Sequence, residues 1–246
     1  MNETLLTALA LIPALIVAIV FHEVAHGWTA LMLGDPTAKE RKRLSLNPIR
    51  HVDPIGTVVL PGVLALTGAP VFGWAKPVPV NKWRLNNPRF GMMAVAAAGP
   101  GTNLVLAAIG AALLGLFIRI TAASPGDGVG LMGLLLQGYP PDPATGPGFV
   151  LFSLFFFITI NIFLALFNLL PIPPFDGSHI VEGLLPEQAA RTYDRLRPFG
   201  FPLLFLLLLV IPYFFPELGI VQKIVLPPVM WVLQQYLGLA AWFVGA

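Results

Sequence analysis

Cysteine is absent from the 246-residue chain, which excludes disulfides, thiolate metal ligation and a cysteine nucleophile. Charge is nearly as scarce: Asp, Glu, Lys and Arg together make up 11%, against 57% hydrophobic residues. So few charges cannot clothe a water-facing surface, which argues against both a soluble enzyme and a disordered chain. The excess of 14 Lys and Arg over 12 Asp and Glu is too slight to point to nucleic acid. No internal repeat stands out, which weighs against the commonest transporter architectures. What the chain has is long apolar runs, and these make it an all-α polytopic membrane protein.

A spanning helix needs ~20 largely apolar residues. Five runs qualify: Leu5 to Leu33, Phe90 to Ile120, Phe149 to Leu170, Phe199 to Phe215 and Ile220 to Val244. The first has no basic start and is too long for a cleaved signal peptide, so it is expected to be a retained span. A shorter run, Ile55 to Val71, carries Pro61 and Pro70 and follows Pro54. Twelve of the fourteen cations fall in 34–54, 72–89 and 172–198, and none falls in 122–147. The excess of Lys and Arg places the first three segments in the cytoplasm and the N-terminus outside. Both flanks of Ile55–Val71 are then on one side, so this run is expected to be re-entrant. Small residues at Ala94, Ala98, Ala107, Ala111 and Gly115 suggest close helix packing along the second span.

The first span contains Phe21-His22-Glu23-Val24-Ala25-His26. Histidines at i and i+4 lie on one helical face, roughly 6 Å apart, and can share one zinc. Glu23 is placed to act on water as a general base. Ionisable groups inside a spanning helix are costly and functional by default. At ~1.5 Å per residue His22 lies ~26 Å along a helix starting at Leu5, near the inner edge of a ~30 Å hydrocarbon core that cytoplasmic water can reach. A third ligand is needed, and the candidates are His51, His179 and the acids. Asp176 is the best placed. The third span ends at Asn168-Leu169-Leu170-Pro171-Ile172-Pro173-Pro174-Phe175-Asp176-Gly177, where three prolines break the helix at the depth of His22.

These two stretches together resemble the site-2 protease family of intramembrane zinc metalloproteases. The similarity extends to Gly34-Asp35-Pro36-Thr37-Ala38, to Leu46–Thr57 with Asn47-Pro48 and His51-Val52-Asp53-Pro54, to Gly73-Trp74-Ala75-Lys76-Pro77-Val78-Pro79-Val80-Asn81, and to Ala98-Gly99-Pro100-Gly101-Thr102-Asn103. It covers residues ~20 to 180 and is similar to the compact bacterial and archaeal branch without a PDZ domain. The basic stretch Lys39-Glu40-Arg41-Lys42-Arg43 departs from the pattern without touching a ligand. The resemblance implies one zinc per chain held by His22, His26 and Asp176, with Glu23 activating water. It implies a three-helix catalytic core, here the spans holding Glu23, Asn103 and Asn168. It also implies a transmembrane substrate with a regulatory role, such as an anti-sigma factor or a signal-peptide remnant.

Asn103 has two open readings, an amide donor to the developing oxyanion or a hydrogen bond between packed helices. Asn168 can steady the metal acid or bind substrate backbone. His51 and Asp53 read as a loop-packing pair. Segment 72–89, with Val78-Pro79-Val80, reads as extended chain at the membrane surface, able to pair with an unwound substrate or simply covering the bilayer edge. The expectation is therefore a single membrane metalloprotease domain over 1–246, with a catalytic core at about 5–180 and C-terminal helices at about 199–244. It sits in the cell membrane with its active site near the cytoplasmic side, and it hydrolyses peptide bonds within or near transmembrane segments. A non-proteolytic metal-binding or transport protein is the alternative, and it would call for further mid-membrane acids and histidines that the other spans scarcely have.

Overall fold

The computed structural model describes residues 3–67, 73–219 and 221–245. Its helices are α1 Glu3–Met32, α2 Thr37–Glu40, α3 Leu60–Thr67, α4 Pro88–Thr121, α5 Pro125–Leu136, α6 Gly148–Asn168, α7 Asp176–Leu184, α8 Glu187–Asp194, α9 Gly200–Phe205, α10 Ile211–Phe214 and α11 Leu226–Val244. No strand is present among the described residues. Among the described residues, four helices are long and apolar enough to cross a membrane: Thr4–Met32, Pro88–Thr121, Gly148–Asn168 and Gln222–Val244. The protein is a multi-pass all-α membrane protein.

The expected fourth span, Phe199–Phe215, is shorter than its run of apolar residues suggests. It forms α9 and α10 joined by a π-helical stretch, Leu206–Val210, so the continuous helix is 15 residues long. That is ~22 Å of rise, short of the ~30 Å hydrocarbon core. The 122–147 connection, rich in glycine and proline, contains α5. Ser124 caps that helix by accepting from the Asp127 N–H, Pro125 takes its first turn, and Met132 and Leu135 are buried.

The chain divides into two compact units, each assembled from separated stretches of sequence. One comprises Met1–Ala18, Asn103–Ala165 and Pro227–Ala246. Its interior is built from Ala107, Ala111, Leu114 and Ile118 of α4, Ile158 and Ile162 of α6, and Leu233 and Leu237 of α11, all at most 2% exposed. A methyl group at Gly115 would run into the Ala240 carbonyl, so backbone meets backbone there. The small-residue pattern proves to be two faces. Ala107 and Ala111 are fully buried but Ala94 is exposed. At ~100° per residue, the nine positions from Ala98 to Ala107 amount to a half-turn out of phase.

The other unit comprises Ile19–Thr102 and Leu166–Leu226. Ala30, Leu85 and Val95 form a buried cluster in it, with Leu33, Val80 and Met92 packed around them. Residues 68–71 of the Ile55–Val71 run lie outside the described residues; the described part is a π-helical stretch, Pro54–Val59, continued by α3. The Trp74 N–H donates to Gly56 O at 3.1 Å, Thr57 Oγ1 donates to Trp74 O, and the Lys76 N–H donates to His51 O. The start and return of the run are thus one hydrogen bond apart. A segment that crossed the bilayer would hold its two ends ~30 Å apart.

Candidate metal centre

Helix α1 carries His22 and His26 one turn apart, and their rings meet edge to face with centroids at 4.6 Å. Asp176 arrives from the other end of the same unit. After α6 ends at Asn168, the prolines of Pro171–Pro174 deny the backbone the donors a helix needs, and the chain turns back to start α7 at Asp176. Gly177 makes the fold-back possible, because a methyl group there would overlap the Leu169 and Leu170 carbonyls. Asp-Gly is therefore more than a boundary turn. It lets α7 begin against the end of α6 and brings the Asp176 carboxylate to the histidines.

The donor atoms of His22, His26 and Asp176 lie within 4.8 Å of one another, the one such group of at least three among the described residues. Asp176 Oδ2 is 3.1 Å from His22 Nε2 and 3.4 Å from His26 Nε2. Both distances match the ligand-to-ligand edge of a zinc tetrahedron, about 3.3 Å for bonds of about 2.0–2.1 Å. His26 donates from Nδ1 to the Val95 carbonyl at 2.7 Å, which leaves the Nε2 lone pair facing the cluster, the tautomer a ligand needs. Two imidazoles, one carboxylate and no thiolate make a donor set that suits zinc and leaves one tetrahedral position open. The residues present fit the metal.

Glu23 points at the extended segment. The Val78 N–H donates to Glu23 Oε2 at 2.7 Å, which anchors one carboxylate oxygen. Pro77 and Pro79 on either side hold that backbone extended. Farther along, the buried Asp35 carboxylate accepts the Asn81 N–H at 2.6 Å together with the Thr37 N–H and hydroxyl. Burial pushes the Asp35 carboxyl up, but these donors outweigh it and keep the group below its usual range, hence charged. The Gly34-Asp35-Pro36-Thr37 stretch thus pins the extended segment to the end of α1.

Asp176 is held through α7. Glu182, two turns on, accepts from Lys82 Nζ and from Arg197, each at 2.6 Å. Arg89 donates to the Gly183 and Leu185 carbonyls at the C-terminal end of α7. Tyr193 Oη donates to Pro171 O at 2.7 Å. Burial opposes ionisation of Glu182, but Lys82 and Arg197 together lower its pKa. The sequence reading missed Glu182 and Val95. It took Lys82, Arg89 and Arg197 only as markers of membrane side, and those same cations brace the Asp176 helix. The Val78-Pro79 signal was legible as extended chain, but its amide's partner was not.

His179 stands apart from the cluster. Its Nε2 accepts from Arg197 at 3.1 Å, and burial followed by the Arg197 charge lowers its pKa. His51 and Asp53 do not pair with each other. His51 Nε2 is bonded to Ser45 O at 2.7 Å, and Asp53 caps the Pro54–Val59 stretch by accepting the Ile55 and Gly56 N–H groups. Asn103, in the other unit, is fully buried and donates its amide to Asn161 Oδ1 at 2.9 Å and to Ala18 O at 3.1 Å.

With this geometry in view, similarity to known sequences decides the family. The profile of peptidase family M50 matches residues 10–211. The chain belongs to this family, the site-2 protease family. It is 37% identical over 217 residues to the proposed zinc metalloprotease YwhC of Bacillus subtilis (strain 168), covering 86% of this chain and 87% of YwhC. Two mycobacterial proposed zinc metalloproteases named Rip2 are more distant. The Mycolicibacterium smegmatis protein is 27% identical, with 80% of this chain and 65% of the relative covered; for Mycobacterium tuberculosis the values are 28%, 79% and 63%. No solved structure matches the chain significantly. This M50 peptidase is a membrane zinc metalloprotease, and the lipid bilayer is its environment.

Proposed function

We propose that this peptidase hydrolyses peptide bonds within or near the transmembrane segments of membrane-protein substrates, with His22, His26 and Asp176 as zinc ligands and Glu23 as general base. The observation that carries this reading is the convergence of the three donor atoms within 4.8 Å, two from the long apolar helix α1 and one from the start of α7. When bound, zinc supplies the positive charge that polarises a peptide carbonyl and acidifies water. Glu23 takes the proton from the attacking water and returns it to the departing amine, so both steps use one carboxylate. The Val78 amide holds one oxygen of that carboxylate while the other meets the water. His26 is kept in its ligating tautomer by Val95. Each compact unit is assembled from discontinuous stretches, so neither can be excised, and we treat residues 1–246 as one working domain. A strain carrying Glu23→Gln, compared with its parent by membrane proteomics, should accumulate intact forms of the substrate. Identical proteomes under conditions where the protease is expressed would count against intramembrane proteolysis.

For Asn103 we favour the packing reading, because its amide already serves two acceptors in a fully buried site. Asn103→Ala should lower thermal stability by about 1–3 kcal/mol, since it strands Asn161 Oδ1. Turnover per zinc-loaded molecule should change little. A fall of ~10²–10³ in turnover with an unchanged melting temperature would restore the oxyanion role.

We also propose the cell membrane as the location, with the centre near its cytoplasmic side. Single cysteines at Ser45, Asn86, Ala144 and Gln188 of this cysteine-free chain test that by membrane-impermeant labelling of intact cells. Ala144 alone should react. Labelling at Asn86 would mean that Ile55–Val71 crosses the membrane, and Asp176 would then lie on the opposite side from the histidines.

A further inference from the structure

We infer that Gly99 is the position that keeps room for the metal, and that the Val95–Gly99 turn of α4 is the fourth wall of the centre; this rests on the zinc-site reading above. His22 and His26 approach from α1 and Asp176 from the start of α7. The remaining side faces α4 at Gly99. A Cβ built there would stand 2.5 Å from His26 Nε2, 2.5 Å from His26 Cε1 and 2.6 Å from His22 Nε2. Those are the two nitrogens that face Asp176, so the space a methyl group would take is where the ion and its open coordination position must fit.

The rings have little freedom to yield. The His26 ring is bonded to Val95 O, four residues before Gly99 on the same face of α4, so the helix that fixes the ring is the one that would push it. Both Nε2 atoms are within 3.4 Å of Asp176 Oδ2. Ordinary van der Waals contact begins at 3.4 Å, which leaves a Cβ at position 99 roughly 0.9 Å too close to His26. A well-formed metal site keeps its bond lengths within about 0.2 Å of the standard values. The mismatch is several times the tolerance, and for this reason a glycine on α4 is a requirement of the metal centre as much as of helix packing. Val95 and Gly99 then act together: the carbonyl sets the tautomer of His26, and the missing side chain leaves clear the space beside the two histidine nitrogens.

Gly101 is the internal control. It lies two residues along the same helix, and a Cβ there meets nothing within 4 Å. Gly101→Ala makes the same gain in helix propensity without the steric change, so it separates the two effects. The experiment measures zinc per chain by mass spectrometry, and zinc affinity by chelator competition, on the full-length protein purified in detergent. Wild type and Gly101→Ala should carry close to one zinc. Gly99→Ala should lose at least tenfold in affinity and be recovered nearly metal-free. Because Gly99→Ala alone can fail to fold, it is also placed in a His22→Ala, His26→Ala background, where both rings are gone; there it should leave the melting temperature unchanged or raise it. Gly99→Ala that keeps wild-type affinity overturns the inference, and so does an equal loss of stability with and without the rings. A wild-type protein that binds no zinc fails differently, since it overturns the metal-centre reading itself.

Discussion

Glu23→Gln is expected to abolish cleavage while the protein keeps its zinc. Glu23 Oε2 accepts the Val78 N–H at 2.7 Å, a bond that a glutamine carbonyl oxygen can still accept. The variant therefore preserves shape and hydrogen bonding and removes only the base. With nothing to take the proton from water, general-base assistance typically worth 10²–10⁴-fold is lost, and the same group is missing again when the amine leaves. Cleavage of a membrane-reconstituted substrate should fall below detection, with zinc per chain and melting temperature close to wild type. Loss of zinc in this variant, with the fold intact, would show Glu23 to be a ligand and would reassign the base.

The second large effect is a contrast between two residues three apart on α7. Asp176→Ala should lose both activity and most of the zinc, because it leaves two imidazoles and no third donor. His179→Ala should keep both. Asp176 Oδ2 sits 3.1 Å and 3.4 Å from the two histidine nitrogens, whereas the His179 ring is engaged by Arg197 at 3.1 Å. Zinc content measured on both variants decides the matter without reference to substrate. The opposite pattern would transfer the third ligand to His179. That would require α7 to rotate, and Glu182 would then have to leave Lys82 and Arg197.

Charge scarcity, the apolar runs and the HisGluXXHis spacing were enough, in the sequence, to specify a polytopic helical membrane metalloprotease. Each is a local property. Hydropathy over ~20 residues sets a span, and the α-helical repeat alone puts His22 and His26 on one face. The approach of Asp176 to the two histidines had a related cue, since three prolines in four residues break a helix and the depth of that break could be counted along the chain. Helix α5 and the 15-residue length of the Gly200–Phe214 helix were not legible. A capped turn and a π-helical stretch depend on where backbone donors find acceptors, which hydropathy does not record.

Only the tertiary structure could decide which amide holds Glu23, which carbonyl sets the His26 tautomer and which cations brace α7. Val78 lies 55 residues from Glu23, Val95 lies 69 from His26, and Lys82 lies 100 from Glu182. Backbone amides and carbonyls carry no side-chain signature, and a lysine reads the same whether it marks the cytoplasmic side or binds a buried acid. Gly99 shows the limit most clearly. In sequence it is one small residue before a proline; in three dimensions its missing Cβ is the space beside two histidine nitrogens. An absence of atoms acquires meaning only once the neighbouring helix is in place.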